Sequence, residues 1–317
     1  MLKIPMFLPT IPTIRQIETK SLLWTDISNV SPEEMKYLEE KFQFHPLYLA
    51  ECLSPVQRPR IAINPNYIFM VLVFPIYSRH TRKIKPSEVD FFLGPNFLVT
   101  VHRNELPPLI NFFNLCQISK SQQKKYFMGN PSALLYELLN QLLTHCNPIL
   151  DNLNAHVASI EENIFRGYER RMVKEMLTIK SSITNFRRIM QIHRSVISKL
   201  IKESNLFFSP SQLKLYFEEL IDTTEDIWEK LEYMQKTIET METTNNSLIS
   251  FQLNDIIKIL TTISVIILPI TLIANIFGMS IRFMPLADNP LAFWLIIGFM
   301  GLAFFLMVWY FKKKRWL

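Results

Sequence analysis

Two long stretches without a charged residue lie near the end of this 317-residue chain and constrain its fold more than any other feature. They cover residues 259–281 and 289–311, which is 23 residues each. A helix needs about 20 apolar residues to cross the roughly 30 Å of hydrocarbon in a bilayer. Both stretches are too long and too late in the chain to be a secretory signal. The sequence therefore predicts two membrane-spanning helices joined by a short loop.

Basic residues predict the orientation of these spans. A cluster at residues 312–315 follows the second span, and Lys258 precedes the first. Lysine and arginine beside a span remain on the cytosolic side. Because the loop between the spans is short, we expect a multi-pass protein of the cell membrane, in contact with lipid, with both termini cytoplasmic. Nothing near Met1 resembles a secretory signal, so the roughly 250 preceding residues are also expected to be cytosolic.

The part of the chain before about residue 130 predicts a mixed sheet with helices. Apolar runs at residues 67–74, 88–93 and 97–102 are typical of strands. The last two are joined through Gly94-Pro95-Asn96, a turn sequence because glycine and asparagine tolerate a positive φ. Ser31, followed by a proline and Glu34, predicts an N-cap and capping box for a helix that ends near residue 42.

Beyond residue 130 the pattern is helical. Leucines at helical spacing predict a helix from Pro131 to about residue 165, and a second helix covers about residues 172–203. From about residue 210 no proline occurs until Pro269 and no glycine until Gly278. We therefore predict one helix of about 70 residues that runs from the cytosolic part into the membrane.

Together these patterns predict an α+β membrane protein. Its expected parts are a cytosolic α/β domain at 1–130, a cytosolic helical region at 131–253 with the long stalk helix from about 210, a first span at 254–280, an external loop at 281–289, a second span at 290–311 and a basic tail at 312–317.

One face of the stalk carries apolar residues at heptad spacing, which predicts a packed seam. The seam consists of Leu213, Phe217, Leu220, Ile227, Leu231, Met234, Ile238, Met241 and Leu248.

The opposite heptad phase carries a polar stripe. It consists of Glu219, Asp222, Asp226, Glu229, Tyr233, Lys236, Thr240, Thr243, Ser247, Ser250, Asn254, Ile257, Thr261, Ser264, Leu268, Thr271 and Asn275. Of the polar side chains in the first charge-free segment up to Phe277, only Thr262 lies off this phase. Amides and hydroxyls in hydrocarbon are costly unless they meet a partner or water.

A ring of copies that points this polar stripe at a shared axis would form a water-filled pore. The predicted pore-lining residues are Asn254, Ile257, Thr261, Ser264, Leu268, Thr271 and Asn275. Ile257 and Leu268 would form apolar rings that gate by dewetting. Neutral oxygens suit Mg²⁺, which gives up its water reluctantly. The alternative, which the stripe alone leaves open, is that these residues join helices across a dry interface.

Other function classes find little support. The net charge of +6 fits ordinary solubility and membrane anchoring. We do not expect nucleic-acid binding, because the sequence has no basic patch with interleaved aromatic residues. Cys52, Cys116 and Cys146 lack the spacing of a zinc site or a disulfide framework. The histidines are dispersed and no phosphate-binding GxxxxGK[ST] motif occurs, so we do not expect an enzyme.

At this point the chain resembles the CorA-type magnesium channels, which have two C-terminal spans, a short outer loop, a Gly-Met-Asn signature and a basic tail. The corresponding signature here is Gly278-Met279-Ser280. The resemblance covers nearly the whole chain, and its other segments are His45-Pro46-Leu47, Gln57-Arg58-Pro59-Arg60, residues 88–102, Tyr216-Phe217-Glu218-Glu219, residues 254–258, Phe283-Met284-Pro285 and residues 310–317.

The resemblance implies a funnel-shaped homopentamer in which the first span of each subunit lines the pore and the membrane potential drives cation entry. It also implies regulatory Mg²⁺ bound by carboxylates between cytosolic domains. Glu219 falls on one of the family's acidic positions, and Asp222 lies one turn further on the same face. Glu88 and Asp90 are weaker candidates for the partner side.

Departures from the family pattern keep two functions open. Ser280 replaces the signature asparagine, Arg282 and Leu286 occupy positions that are commonly acidic, and Asn275 stands where glycine is frequent. We hypothesise that the amide of Asn275 partly replaces the lost asparagine ring. The chain is expected to transport Mg²⁺ or a related ion such as Co²⁺, Ni²⁺ or Zn²⁺, or else to be a non-conducting membrane protein that senses divalent cations.

Overall fold

A computed structural model describes residues 13–54, 56–78, 83–127, 130–203, 212–279, 290–314 and 316. One compact unit extends to Met241, and a second begins at Glu242. The strands are β1 (Ile14–Glu18), β2 (Leu23–Ile27), β3 (Arg60–Ile63), β4 (Ile68–Ser78), β5 (Lys83–Leu93) and β6 (Phe97–His102). The helices are α1 (Pro32–Phe42), α2 (Pro46–Leu53), α3 (Pro107–Ile118), α4 (Lys120–Phe127), α5 (Pro131–Thr144), α6 (Cys146–Phe165), α7 (Glu169–Met190), α8 (His193–Glu203), α9 (Gln212–Gly278) and α10 (Pro290–Lys313).

The first unit is built on a mixed sheet, as the sequence predicts. Its strand order is β1-β2-β6-β5-β4-β3, with β2 and β6 parallel and the other neighbours antiparallel. The three predicted strands are β4, β5 and β6, although β5 begins five residues before the predicted start at Glu88. The short strands β1, β2 and β3 and the helices α3 and α4 were not anticipated, because they lack a long apolar run or a regular period.

The turn between β5 and β6 was predicted correctly but for the wrong reason. Among the described residues, the positive φ angles belong to Gln43, Asn104 and Gly167, so Gly94 and Asn96 do not use the left-handed region. A Cβ atom at Gly94 would instead lie 2.3 Å from the ring of Phe97. Glycine suits this position because any side chain would force the ring of Phe97 to move.

The capping box of α1 is confirmed. The Ser31 hydroxyl oxygen accepts a hydrogen bond from the Glu33 backbone N–H (3.3 Å), and the same hydroxyl donates to the Glu34 carboxylate. Gln43, with φ of 55°, ends the helix in the left-handed region. One orphan backbone N–H at the start of α1, that of Glu33, is thereby satisfied where the sequence predicted a cap.

The core lies on both faces of the sheet. One face packs against α1 and α2 through a cluster centred on Phe44, Phe69 and Phe92. The other face is covered by α3, α5 and α7, where the fully buried Trp24 meets the ring of Phe113 at 4.8 Å. The first unit is thus a three-layer arrangement with helices on both sides of the sheet.

Two of the predicted helices are each divided in two. The predicted helix from Pro131 to about 165 is interrupted at His145 between α5 and α6. Pro148 has no N–H to donate to the carbonyl group of Thr144, so the helical ladder is broken there. The predicted helix at 172–203 is interrupted between α7 and α8. There the carbonyl oxygen of Ile189 accepts a hydrogen bond from His193 Nδ1 at 3.1 Å.

The long helix is confirmed as a single element. Helix α9 has 67 residues and passes through Pro269 without ending. Every described member of the predicted seam from Phe217 to Met241 is buried, Leu248 is half-buried, and the side chain of Leu213 lies outside the described residues. The same phase also buries the polar residues Thr224 and Asn245, which an apolar pattern could not reveal.

Candidate functional site

The polar stripe occupies one continuous face of α9. All of its members, from Glu219 to Asn275, are exposed in the single chain. At about 1.5 Å per residue, these 57 positions span roughly 85 Å. In the apolar segment the buried side chains are Thr262 and Ile266, which lie on the opposite side of the helix from the stripe. From Phe217 to Met241 the helix therefore has a packed side and an open polar side, whereas most of its positions between residues 251 and 279 are exposed in the single chain.

Five of the seven serine and threonine hydroxyl groups of the stripe share one hydrogen-bonding arrangement. Ser264 donates its proton to the carbonyl oxygen of Leu260 at 2.9 Å, and Thr271 donates to that of Ile267 at 3.0 Å. Thr240, Ser247 and Ser250 donate in the same way, each to the carbonyl oxygen four residues earlier. Because these protons are already used, the oxygen lone pairs remain available on the outside of the helix.

An array of outward acceptors suits a hydrated cation. Water bound to Mg²⁺ points its hydrogen atoms away from the ion, and Mg²⁺ commonly keeps several waters. Hydroxyl oxygens and the Asn275 amide oxygen can accept hydrogen bonds from such a shell without a formal charge of their own. Ile257 and Leu268, 58% and 66% exposed, interrupt the acceptors with two apolar positions on the same face.

The two stalk carboxylates are both exposed, and one of them has a neighbour from another helix. The Tyr136 hydroxyl group on α5 donates to Glu219 Oε2 at 3.1 Å. Burial, followed by the hydrogen bond and charge of Glu219, raises the pKa of Tyr136 to about 12. Asp222 is exposed one turn further along α9. Tyr136 could not be predicted from the sequence, because its contact with Glu219 joins positions 83 residues apart.

The other two carboxyl groups are inside the first unit. Glu88 accepts a hydrogen bond from the Gln57 backbone N–H, and its pKa is raised by burial. Asp90 is only 3% exposed, and its pKa is raised well above the usual range by burial and by the charge of Glu88. The Cys52 thiol forms a hydrogen bond with the Asp90 carboxyl group. The chain does not bring Glu88 or Asp90 together with Glu219 and Asp222 into a group of three potential metal ligands within its described residues.

The buried carboxyl group of Asp90 predicts a pH effect. A raised pKa means that the folded chain holds this proton more tightly than the unfolded chain, so stability falls as the pH rises above about 3.8 towards the raised pKa. Replacing Asp90→Asn should remove this loss, by up to about 1.4 kcal/mol per pH unit within that window. Denaturant unfolding of both proteins between pH 4 and 8 measures the difference.

The exposed Asp151 provides a matched control, because Asp151→Asn removes the same charge at the surface. We expect its unfolding profile to follow that of the wild type. A difference in unfolding free energy between Asp90→Asn and wild type that stays constant across the pH range would contradict a raised pKa of Asp90.

The end of α9 is described only in part. Gly278 is the last helical residue, and Met279 is exposed with its N–H 3.4 Å from the carbonyl oxygen of Ile276. Ser280 lies outside the described residues, as do Arg282, Leu286 and Asp288.

The membrane prediction is consistent with the helices of the second unit. Helices α9 and α10 each contain a segment long and apolar enough to cross a bilayer. Residues 19–313 match the family model described as CorA-like Mg2+ transporter protein. The chain belongs to this family. The predicted family is thereby confirmed, and a member of this transporter family is not an enzyme.

Relatives of the CorA family cover almost the full chain. The cobalt/magnesium transport protein CorA of Methanocaldococcus jannaschii is 24% identical over 300 residues, or 95% of this chain and 93% of that protein. The putative metal ion transporter YfjQ of Bacillus subtilis is 25% identical over 305 residues, or 96% of this chain and 93% of that protein.

Solved structures share the fold. The complete structure of the CorA magnesium transporter from Methanocaldococcus jannaschii superposes with a TM-score of 0.84 at 23% identity, covering 95% of this chain and 93% of that one. The full-length CmaX protein gives a TM-score of 0.73 at 17% identity, covering 93% and 89%. These matches confirm the predicted fold class, with an α/β domain, a long helix and two C-terminal apolar helices.

Proposed function

We propose that this chain transports a divalent metal cation, with Mg²⁺ the first choice, across the cell membrane through a pore lined by α9. The observation that carries the proposal is the continuous exposed stripe, whose hydroxyl oxygens face outward because their protons are bonded to the helix. The names of the M. jannaschii and B. subtilis relatives, a cobalt/magnesium transport protein and a putative metal ion transporter, agree with it.

A pore explains why polar side chains stand exposed in an apolar segment. Ser264, Thr271 and Asn275 would each cost free energy against lipid. Five copies of α9 around one axis, as the family resemblance implies, would turn these groups towards water instead. No energy-consuming site is then needed, because a membrane potential of 100 mV supplies about 4.6 kcal/mol for an ion of charge two.

The basic end of α10 supports the proposed topology. Lys313 Nζ lies 5.2 Å from the ring centre of Trp309, and Lys314 Nζ lies 5.5 Å from that of Tyr310. Aromatic and basic residues at the end of a span are typical of the cytosolic interface with lipid headgroups. Both termini of the chain are therefore placed in the cytosol in this proposal.

Gating is proposed to combine apolar rings with regulatory Mg²⁺. Ile257 and Leu268 are exposed on the polar stripe and would form the dewetting rings. Mg²⁺ is usually bound through one or two carboxylates and several waters, and Glu219 with Asp222 offers such a donor set on the exposed face. Binding between neighbouring subunits would hold the stalks together and close the pore when cytosolic Mg²⁺ is plentiful.

A second candidate function rests on the sequence of the outer mouth. Ser280 has a shorter side chain than asparagine and forms fewer hydrogen bonds, and Arg282 repels cations. These substitutions favour a transporter for Co²⁺, Ni²⁺ or Zn²⁺, or a non-conducting relative that binds divalent cations and acts as a sensor.

Uptake into liposomes that contain the purified chain separates these functions. We expect Mg²⁺ uptake by the wild type, faster uptake for Ser280→Asn, and uptake about fivefold slower for Asn275→Gly. The last figure follows because one lost hydrogen bond is worth about 1 kcal/mol, and that changes a rate by about fivefold. Ile276→Ala, the neighbouring position off the polar stripe, is the control and should leave uptake unchanged.

The same vesicles test the remaining alternatives. Uptake of Co²⁺ or Zn²⁺ without Mg²⁺ would assign a different ion, and no flux of any divalent cation would reject transport in favour of sensing. Mg²⁺ present on the side of the membrane that faces the stalk should slow uptake by the wild type. It should not slow uptake by the Glu219→Ala, Asp222→Ala double variant. Equal inhibition of both proteins would reject these two residues as regulatory ligands.

A further inference from the structure

A cleft lies at the edge of the sheet, away from the polar stripe. Strand β3 pairs with β4 only as far as Val71, so the remaining half of β4 has no strand on that side among the described residues. The segment 56–59 and the carboxyl end of α7 flank this free edge and enclose a cleft of about 540 Å³. Small-molecule sites typically have volumes of about 300–1,000 Å³.

The floor of the cleft is apolar. It is formed by Val73 of β4, Ile84 of β5 and Ile189 of α7, all of which are buried. Pro86 and Ile192 extend the apolar surface towards the opening. A flat or hydrophobic part of a ligand would gain free energy by covering this floor.

Two arginines from different elements stand at the opening. Arg58 comes from the segment before β3, and Arg188 from the last turn of α7; both are exposed and both line the cleft. Neither forms an ion pair within the described part of the chain, in contrast to Arg60, which pairs with Glu51. Two guanidinium groups beside one cavity are suited to an anion, above all to a phosphate group, which they bind through paired hydrogen bonds.

Among the described residues that line the cleft, none is acidic and could compete for these arginines. The carboxylate of Glu88, on the same strand as Ile84 and Pro86, is buried and accepts a hydrogen bond from the Gln57 backbone N–H. The remaining lining is rich in amides, with Asn185 and Gln191 from α7 and the turn that follows it. Amide groups both donate and accept, as recognition of a heterocyclic base edge requires.

We propose that this cleft binds a nucleoside phosphate, with the phosphate group on Arg58 and Arg188 and the base on the apolar floor. The ligand class follows from three features found together: paired cations at the opening, an apolar floor and neighbouring amides. The proposal is independent of ion transport, because every residue that carries it belongs to the cytosolic unit. It gives the protein a site through which the nucleotide state of the cell can reach the stalk.

Calorimetric titration of the purified full-length chain with AMP tests this site. A chelator is present so that no metal ion bridges ligand and protein. We expect AMP to bind, and adenosine and inorganic phosphate each to bind at least about tenfold more weakly, because each lacks one of the two contacts. Equal binding of phosphate and AMP would mean an anion site without base recognition, and equal binding of adenosine would remove the role of the arginines; either result overturns the proposal.

Variants connect the binding to the cleft. Arg58→Ala with Arg188→Ala should weaken AMP binding at least about tenfold, since hydrogen bonds to charged groups are the strong ones. The control, Arg170→Ala with Arg171→Ala, removes two exposed charges from the other end of α7 and should leave the affinity unchanged. Asn185→Trp, which fills the cleft, should abolish binding while thermal unfolding shows an intact fold. Unchanged affinity in both cleft variants would overturn the proposal.

Discussion

Replacing Asp26→Ala is expected to lower the free energy of unfolding of the first unit by about 3–5 kcal/mol. Asp26 is completely buried, and its Oδ2 atom lies 2.6 Å from Nη2 of Arg15, which is 7% exposed. Without the carboxylate, the guanidinium group would remain buried with its charge uncompensated. Breaking one partner of a buried pair costs far more than the pair itself contributes.

The other contacts of Asp26 make it the centre of a network across three strands. Its Oδ1 atom accepts from the Thr100 hydroxyl group at 2.6 Å and lies 3.1 Å from His102 Nε2. His102 Nδ1 accepts from the Asn104 N–H, so Nε2 carries the hydrogen that bonds to Asp26. Burial raises the pKa of Asp26, but His102, Thr100 and Arg15 together hold it below its usual value.

Urea unfolding with a thiol reagent measures the effect of Asp26→Ala. All three cysteines of the chain are buried, so their reaction reports opening of the first unit. The control is Glu162→Ala, which removes the exposed ion pair between Glu162 and Arg166 and should cost less than about 1 kcal/mol. Equal losses in the two variants would show that the buried network contributes no more than a surface pair.

The sequence predicts the long helix and its two sides because both depend on local periodicity. A heptad phase that continues from Phe217 to Met241 leaves few alternatives for the packed side, and the structure buries those positions. Strand β4 was found for a related reason, since its apolar run is too short for a helix and rich in branched and aromatic residues. Ser31 revealed the start of α1 through a motif of four residues.

Features that depend on distant contacts could not be predicted in this way. Nothing near Asp26 in the sequence indicates that Thr100 and His102 will stand beside it, 74 and 76 residues further on. The cleft between Arg58 and Arg188 likewise requires the chain to be folded. Gly94 shows the same limit on a small scale, because the ring that favours a glycine there becomes visible only in three dimensions.

The functional site was predicted as a face of one helix, and its role in transport depends on how copies of that helix meet. The exposure of Thr261, Ser264 and Asn275 in one chain is required both by a pore and by a dry interface between subunits. The two arrangements differ in whether water reaches the polar stripe. The deciding measurement is therefore whether a charged reagent dissolved in water can react with a side chain on this stripe.

A cysteine at Ser264 should therefore make transport sensitive to a charged thiol reagent. Ser264→Cys replaces one small side chain by another on the polar stripe. In a water-filled pore its thiol can ionise and react, and the bulky adduct should reduce Mg²⁺ uptake by more than about tenfold, because thiolate is the reactive form. Uptake into liposomes before and after the reagent measures this change.

The adjacent position provides the control at the same depth in the membrane. Ile263 lies about 100° around the helix from Ser264, off the polar stripe, and Ile263→Cys should neither react nor lose transport. The wild type should also be insensitive, since its three cysteines, Cys52, Cys116 and Cys146, are buried and burial raises the pKa of each thiol. If Ser264→Cys is as inert as Ile263→Cys while uptake continues, the stripe is a dry interface and the ion takes another path. Because both variants keep the rest of the chain unchanged, the comparison distinguishes a water-filled pore from a dry interface between subunits.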